Sequence, residues 1–165
     1  MKKALIAAAV IASAIGFTQQ AKAQSTPHAI GLHIGGSTMD LEYQYHFSQE
    51  NFLDVTAGLF DLGDGMSVQG IYNWNFQEWS DWTPNFGTWK AWGGLGAGIG
   101  YVDNNDNSGL TLGPAATLGF GFTLKDAPVT IGIDYRPWLG LCLGNDSGIV
   151  GKGFFNFGLT ATYRF

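Results

Sequence analysis

Apolar and polar residues alternate with period two in eight successive segments of this chain, and this alternation restricts the fold more than any other feature. In residues 39–47, for example, Leu41 and Tyr43 alternate with Glu42 and Gln44. Successive side chains of a β-strand point to opposite faces of a sheet, so each segment is predicted to be a strand with one apolar face. Turn-forming residues separate the segments. The eight segments are residues 28–36, 39–47, 52–60, 66–77, 88–101, 110–124, 129–136 and 152–165.

The alternation does not show which face points inward. An apolar inner face would give a soluble sandwich or a ligand-binding barrel, whereas an apolar outer face would give a transmembrane barrel. Charged residues make up only 13% of the chain, and the polar faces carry mainly Gly, Thr, Asn and Gln. Aromatic residues also lie at the ends of the predicted strands, as they do at lipid–water interfaces. We therefore predict an all-β fold, a single antiparallel up-and-down transmembrane β-barrel of about eight strands.

The N-terminal region has the pattern of a cleaved signal peptide. Lys2 and Lys3 precede an apolar stretch at residues 5–17, and Ala21-Lys22-Ala23 matches a cleavage site. We expect residues 1–23 to be removed and residues 24–165 to form the barrel domain. The remaining chain would carry five basic and thirteen acidic residues, a net charge near −8. This acidic balance argues against nucleic acid as a partner.

Of the charged or ionisable residues on the polar faces of the predicted strands, we expect eight to line the barrel lumen. An eight-stranded barrel is just wide enough to be filled by side chains, and charges in it must pair. We therefore predict a lumen closed by its own side chains, with a gated narrow pore as the alternative. Arg136 is predicted to bridge Glu42, Asp134 or both at middle depth. The full set is Glu42, Asp134, Arg136, His33, His46, Lys90, Asp54 and Arg164, of which His46, Asp54, Lys90 and Arg164 are expected nearer the end that holds the termini.

No catalytic or metal site is predicted. His33 and His46 are expected near opposite ends of their strand pair, and zinc needs three or four ligands. The apolar faces carry no Ser-His or His-Asp pair, which a lipid-modifying enzyme would need. The single cysteine, Cys142, is assigned to a loop and has no disulfide partner. We therefore expect no enzymatic activity, no cofactor and no metal.

The last residues, Tyr163-Arg164-Phe165, follow apolar residues at alternate positions. This ending resembles the C-terminal assembly signal of outer-membrane barrels, and in size and pattern residues 24–165 resemble the small OmpA/OmpX-type barrels. The stretch from Ile131 to Pro137 resembles the penultimate strand of a group of uncharacterised small outer-membrane β-barrel proteins. The resemblance implies the outer membrane of a Gram-negative-type envelope, with Tyr163 and Phe165 read by the barrel assembly machinery after transfer by periplasmic chaperones.

The resemblance implies fold and location but no specific activity. The expected function is that of an integral outer-membrane protein in contact with lipid, with a structural or interaction role through its outer loops. A narrow channel for small solutes is the alternative, and a lipid-modifying enzyme is a weaker one. Pro114 conflicts with the sixth strand because it has no N–H to donate, and residues 77–87 are long for a periplasmic turn.

Overall fold

A computed structural model of the protein describes residues 26–36, 38–60, 65–103, 108–144, 148–150 and 153–165. The proposed signal peptide, residues 1–23, lies outside this part of the chain. The described residues form β-strands and no helix, and they include no helix long and apolar enough to cross a membrane. The strands are β1 (His28–Gly35), β2 (Thr38–His46), β3 (Asn51–Phe60), β4 (Gly65–Trp79), β5 (Gly87–Asp103), β6 (Ser108–Leu124), β7 (Val129–Tyr135), β8 (Gly140–Gly144), β9 (Gly148–Val150) and β10 (Phe157–Arg164).

These ten strands close into an antiparallel barrel of eight barrel strands in up-and-down order. The sheet order is β5-β4-β3-β2-β1-β10-β7-β6-β8-β9, and pairing of β5 with β6 closes the ring. β7 and β8 pair with successive parts of β6 and together make the seventh barrel strand. β10 pairs with β7 and β9 with β8, so these two make the eighth. The predicted all-β up-and-down barrel of about eight strands is confirmed.

The sequence prediction departs from the structure between residues 137 and 156. Residues 153–155, expected within the last strand, form a turn, and β10 begins at Phe157. The assignment of Cys142 to a loop is wrong, because Cys142 lies in β8 and is buried. Alternation here is interrupted by Pro137 and by glycines at both ends of β8. Strands of three and five residues between such interruptions give too few alternating positions to be recognised.

The register of the strands fixes how strongly they tilt. A path that starts at Gly65 of β4 and steps from each residue to its partner on the next strand goes once around the barrel. It returns to β4 at Asn75, so the strands are staggered by ten residues over the full ring. With about 3.3 Å per residue and about 4.8 Å between strands, this stagger over eight strands corresponds to a tilt of about 40°. The path runs through Gly65, Phe60, Thr38, Gly35, Gly158, Asp134, Gly119, Trp92 and Asn75.

The barrel has two rims. The terminal rim carries the start of β1, the end of β10 and the turns at residues 47–50, 80–86 and 125–128. Its ends meet through backbone hydrogen bonds: Phe165 N donates to His28 O over 3.0 Å, and His46 N donates to Pro27 O over 2.6 Å. The distal rim is at the opposite end, where β1 turns into β2 and where β6 pairs with β8.

Pro114 lies within β6, and the barrel accommodates it by an irregularity in the neighbouring strand. Leu139 N donates to Pro114 O over 3.1 Å, and Ala116 N donates to Pro137 O over 3.0 Å. The N–H and C=O of a residue in an antiparallel strand point to the same side. The C=O of Pro114 points toward residues 136–139, between β7 and β8, so the N–H that proline lacks would have pointed there too. The strand ladder is already interrupted there, apart from a single bridge between Ala115 and Trp138. β6 therefore runs through the proline.

Candidate functional site

Arg136 lies at the centre of the polar lumen, and its guanidinium contacts three carboxylates from two sides of the barrel. Nε lies 2.7 Å from Asp134, Nη2 lies 3.0 Å from Glu42 and Nη1 lies 3.1 Å from Asp54. All four side chains are buried. Glu42 and Asp54 belong to β2 and β3, and Arg136 follows β7, so the side chain crosses the lumen and links opposite walls.

The contact of Arg136 with Asp54 was not among the predicted bridges, which named only Glu42 and Asp134. Asp54 was expected nearer the terminal rim, and it pairs with Gln44, two residues from Glu42 toward that rim. It nevertheless shares the Arg136 guanidinium with Glu42 and Asp134. Depth counted along single strands therefore does not show which side chains meet across the lumen.

His33 extends the charged network toward the distal rim. Its Nδ1 lies 3.1 Å from Asp40 and its Nε2 lies 2.9 Å from Asp134, and the ring is fully buried. Each ring nitrogen therefore faces a carboxylate oxygen, which suits the doubly protonated ring because both nitrogens then carry a hydrogen to donate. Thr38 adds a hydroxyl that donates to Asp40 over 2.6 Å.

Neutral side chains of β2 and β10 hold the Glu42 carboxylate in place. The Thr160 hydroxyl of β10 donates to Glu42 over 2.7 Å, and Gln44 Nε2 donates to the other oxygen of Glu42 over 2.5 Å. The Gln44 carbonyl lies 3.1 Å from Nε2 of His46. His46 therefore reaches the network through Gln44, and it stacks on Phe52 at 5.0 Å between ring centroids.

The remaining basic residues of the lumen stand apart from Arg136. Lys90 lies over the Trp92 ring at 5.6 Å and faces Glu78 across the β4–β5 ladder. Arg164, paired in register with Ala29, lies at the terminal rim. The structure thus brings together five of the eight residues expected in the lumen network. The five are His33, Glu42, Asp54, Asp134 and Arg136.

Several network residues were not among those identified from the sequence. Asp40 and Thr38 of β2, Gln44 and Thr160 are buried and complete the hydrogen bonds of the charged groups. Asp40 could have been predicted as a lumen residue, because it is charged and lies on the polar face of its segment. The hydroxyl and amide residues carry no such signal, since Thr and Gln also occur throughout the rest of the polar faces.

Two tryptophans fill the lumen on either side of the charged network. Trp138 lies against Gly98 and Gly100 of β5, where an added Cβ would come within 3.0 Å of its ring. Trp92 lies against glycines of β6 and β7, where a Cβ at Gly132 would approach its ring to 2.8 Å. The strand glycines therefore provide the room for these rings. Trp138 joins an apolar cluster with Ile71, Val102, Ala115 and Cys142.

Acidic residues outnumber basic residues in the central network. Four buried carboxylates, Asp40, Glu42, Asp54 and Asp134, face Arg136 and His33.

Within the described part of the chain, no group of three or more His, Cys, Asp or Glu residues is arranged to hold a metal ion. Two surface clefts of about 240 and 230 Å³ lie at the terminal rim, outside this network. The chemistry that the network itself supplies is ion pairing between walls.

The residues expected to form the assembly signal lie at the terminal rim. Tyr163 is half-buried on β10, and the exposed Phe165 stacks on His28 with ring centroids 6.1 Å apart. Comparisons of the chain with family models, with curated proteins and with solved structures found no match.

Proposed function

We propose that this protein is an integral outer-membrane β-barrel whose lumen is closed by its own side chains. The observation that carries the proposal is the inversion of polarity between its two faces. Leu159 of β10 is 63% exposed, whereas its neighbour Thr160 is 3% exposed and hydrogen-bonds to Glu42 inside. The same alternation of an apolar outward residue with a polar inward one runs around the ring. A large continuous apolar surface on a monomer marks contact with another apolar phase.

The height of the apolar outer wall suits a bilayer. On β6, outward residues from Leu110 to Phe122 alternate with inward ones over twelve residues. At about 3.3 Å per residue and the tilt of about 40° given above, this run spans about 30 Å. A hydrocarbon core is about 30 Å thick, and the apolar band of membrane barrels is about 25 Å tall. The wall therefore fits the hydrocarbon layer of an outer membrane.

Aromatic rings at the terminal rim support the same proposal. Trp79 stacks on Trp82 at 5.0 Å, Trp82 lies 6.5 Å from Trp89, and Trp89 lies within 5.3 Å of Phe120 and 4.9 Å of Phe122. The Trp89 indole donates to the Thr83 hydroxyl over 3.1 Å. Rings that combine an apolar body with a polar edge favour the lipid–water interface. The long connection at residues 80–86 is thus held beside the barrel wall.

The outer membrane is proposed from the resemblance to OmpA/OmpX-type barrels. In this proposal the chain is exported by the signal peptide, carried by periplasmic chaperones and inserted by the barrel assembly machinery. Tyr163 and Phe165 would be the recognised residues. The proposed role is structural or interaction-based and not enzymatic, because the charged groups of the lumen are engaged in linking its walls.

Arginine substitutions at two outward positions test whether the wall faces lipid. In a bilayer, Leu159→Arg is expected to cost about 2–4 kcal/mol of folding free energy because Leu159 lies near the middle of the wall. Phe47→Arg, at the terminal rim, is expected to cost about 0–1 kcal/mol. The measurement is denaturant unfolding in phosphatidylcholine vesicles, followed by the heat-dependent shift of the folded band on a gel.

If the wall faces water, the two arginine substitutions are expected to have similarly small effects on the unfolding free energy. Both arginines would then change the unfolding free energy by less than about 0.5 kcal/mol, and the protein would stay folded without detergent or lipid. That outcome would refute the proposal, since both side chains are more than half exposed.

A further inference from the structure

The apolar outer wall differs in height around the barrel. From the end of β2, outward apolar residues run from Phe47 to Met39, which spans about 20 Å at the strand rise and tilt used above. On β6 they run from Phe122 to Leu110, about 30 Å. We call the β1–β2 side the short wall and the β5–β6 side, with β8 beyond it, the tall wall.

The difference arises at the distal rim. At the terminal rim backbone hydrogen bonds join strand ends on both sides of the barrel. Beyond the two bonds described above, Arg164 N donates to Pro128 O over 2.8 Å and Lys125 N donates to Phe86 O over 2.9 Å, so both walls begin at a similar level there. At the distal rim, β1 ends at Gly35, whereas β6 continues past that level and pairs with β8. Tyr101, Leu110 and Leu143 lie side by side on the tall wall and are 49%, 47% and 63% exposed.

From this geometry we infer that the barrel thins the bilayer beside its β1–β2 wall, so that its lipid neighbours differ in thickness around the ring. The inference rests on the proposed membrane function. A hydrocarbon core is about 30 Å thick, which matches the tall wall and exceeds the short one. Lipid beside the short wall must compress to keep polar backbone at the β1–β2 turn out of hydrocarbon, because an unpaired peptide group there is costly. Acyl chains along the tall wall can stay extended.

Spin labels at matched heights can measure this difference. Ile34 lies six residues from His28 along β1, and Leu95 lies six residues from Trp89 along β5; both are outward and more than 45% exposed. Each would be changed to Cys in a Cys142→Ala background, because Cys142 is the one cysteine of the sequence. The whole sequence would be expressed, and the protein purified from membranes, labelled and reconstituted in 16-carbon phosphatidylcholine vesicles.

Thinning predicts that the Ile34 label is several-fold more accessible to a water-soluble nickel chelate, and less accessible to oxygen, than the Leu95 label. Longer acyl chains should move the Leu95 label deeper and leave the Ile34 label at the lipid–water boundary. Equal accessibility at the two positions would overturn the inference.

A tilt of the whole barrel could also raise the Ile34 label, and labels near the terminal rim separate the two cases. Tyr45 of β2 and Ala91 of β5 lie near that rim on the two walls. Thinning at the distal rim leaves these labels at equal depth, whereas tilt shifts them in opposite directions and would refute thinning. Failure of every variant and of the parent to insert into vesicles would instead count against the membrane function itself.

Discussion

Replacing Arg136 with Met removes the charge that joins opposite walls of the lumen while keeping most of the side-chain volume. The change leaves Glu42, Asp54 and Asp134 without the guanidinium that contacts each of them within 3.1 Å. Breaking a single buried ion pair by removing one partner typically costs about 3–5 kcal/mol. Because the three contacts share one group, their effects do not add. We therefore expect Arg136→Met to lower the unfolding free energy by about 3–5 kcal/mol.

A double-mutant cycle with Glu42→Gln tests whether the loss comes from pairing. Glutamine keeps an oxygen to accept the Thr160 hydroxyl but has no charge for Arg136. If the pair is coupled, the double variant should lose less stability than the sum of the two single losses, by about 0.5–3 kcal/mol. The assay is urea unfolding in vesicles, followed by tryptophan fluorescence and by the heat-shifted band. Lys125→Met, in an exposed turn, is the control and should change stability by less than about 0.5 kcal/mol. Additive losses, or a loss below about 1 kcal/mol for Arg136→Met, would refute the reasoning.

Two further predictions concern the tryptophans that fill the lumen. Trp138→Ala should remove a buried ring from the distal half of the lumen and lower the unfolding free energy by about 3–5 kcal/mol, while planar bilayers still show no steady current because Trp92 and the Arg136 network close the rest of the lumen; a stable current through the folded variant would contradict a lumen closed at more than one level. Gly119→Leu should prevent the appearance of the folded band, because its Cβ would overlap the Trp92 ring, and adding Trp92→Ala should restore part of it. No recovery in the double variant would show that the steric conflict lies elsewhere.

The regular part of the fold could be predicted from the sequence, and the reason is local. In strands such as β2 and β4, each residue's polarity follows from the face on which it lies, so the pattern is visible without knowledge of partners. The break between β7 and β8 could not be predicted in this way. It depends on how Pro114 of β6 and Pro137 meet across the ladder, and that meeting is fixed by the closed ring.

The composition of the lumen network was accessible from the sequence, but its geometry was only partly so. Arg136, Glu42 and Asp134 follow from alternation, because charged residues on the polar faces must pair inside a narrow barrel. The participation of Asp54 depends on a ten-residue stagger that accumulates over eight strand pairs. Each pair contributes a small offset that no single segment reveals. The hydrogen-bonding role of Thr160 could not be recognised, since it depends on the same stagger.

The network around Arg136 also has a consequence for the order in which the barrel forms. Glu42 and Arg136 are 94 residues apart in the chain, and Glu42 and Thr160 are 118 apart. The first strands therefore carry buried acids whose partners come from the last third of the chain. Until β7 and β10 arrive, these carboxylates need water, and a partly formed barrel is held back from entering hydrocarbon. We expect insertion and ring closure to occur as one cooperative step, with contacts of such long sequence separation making that step slow.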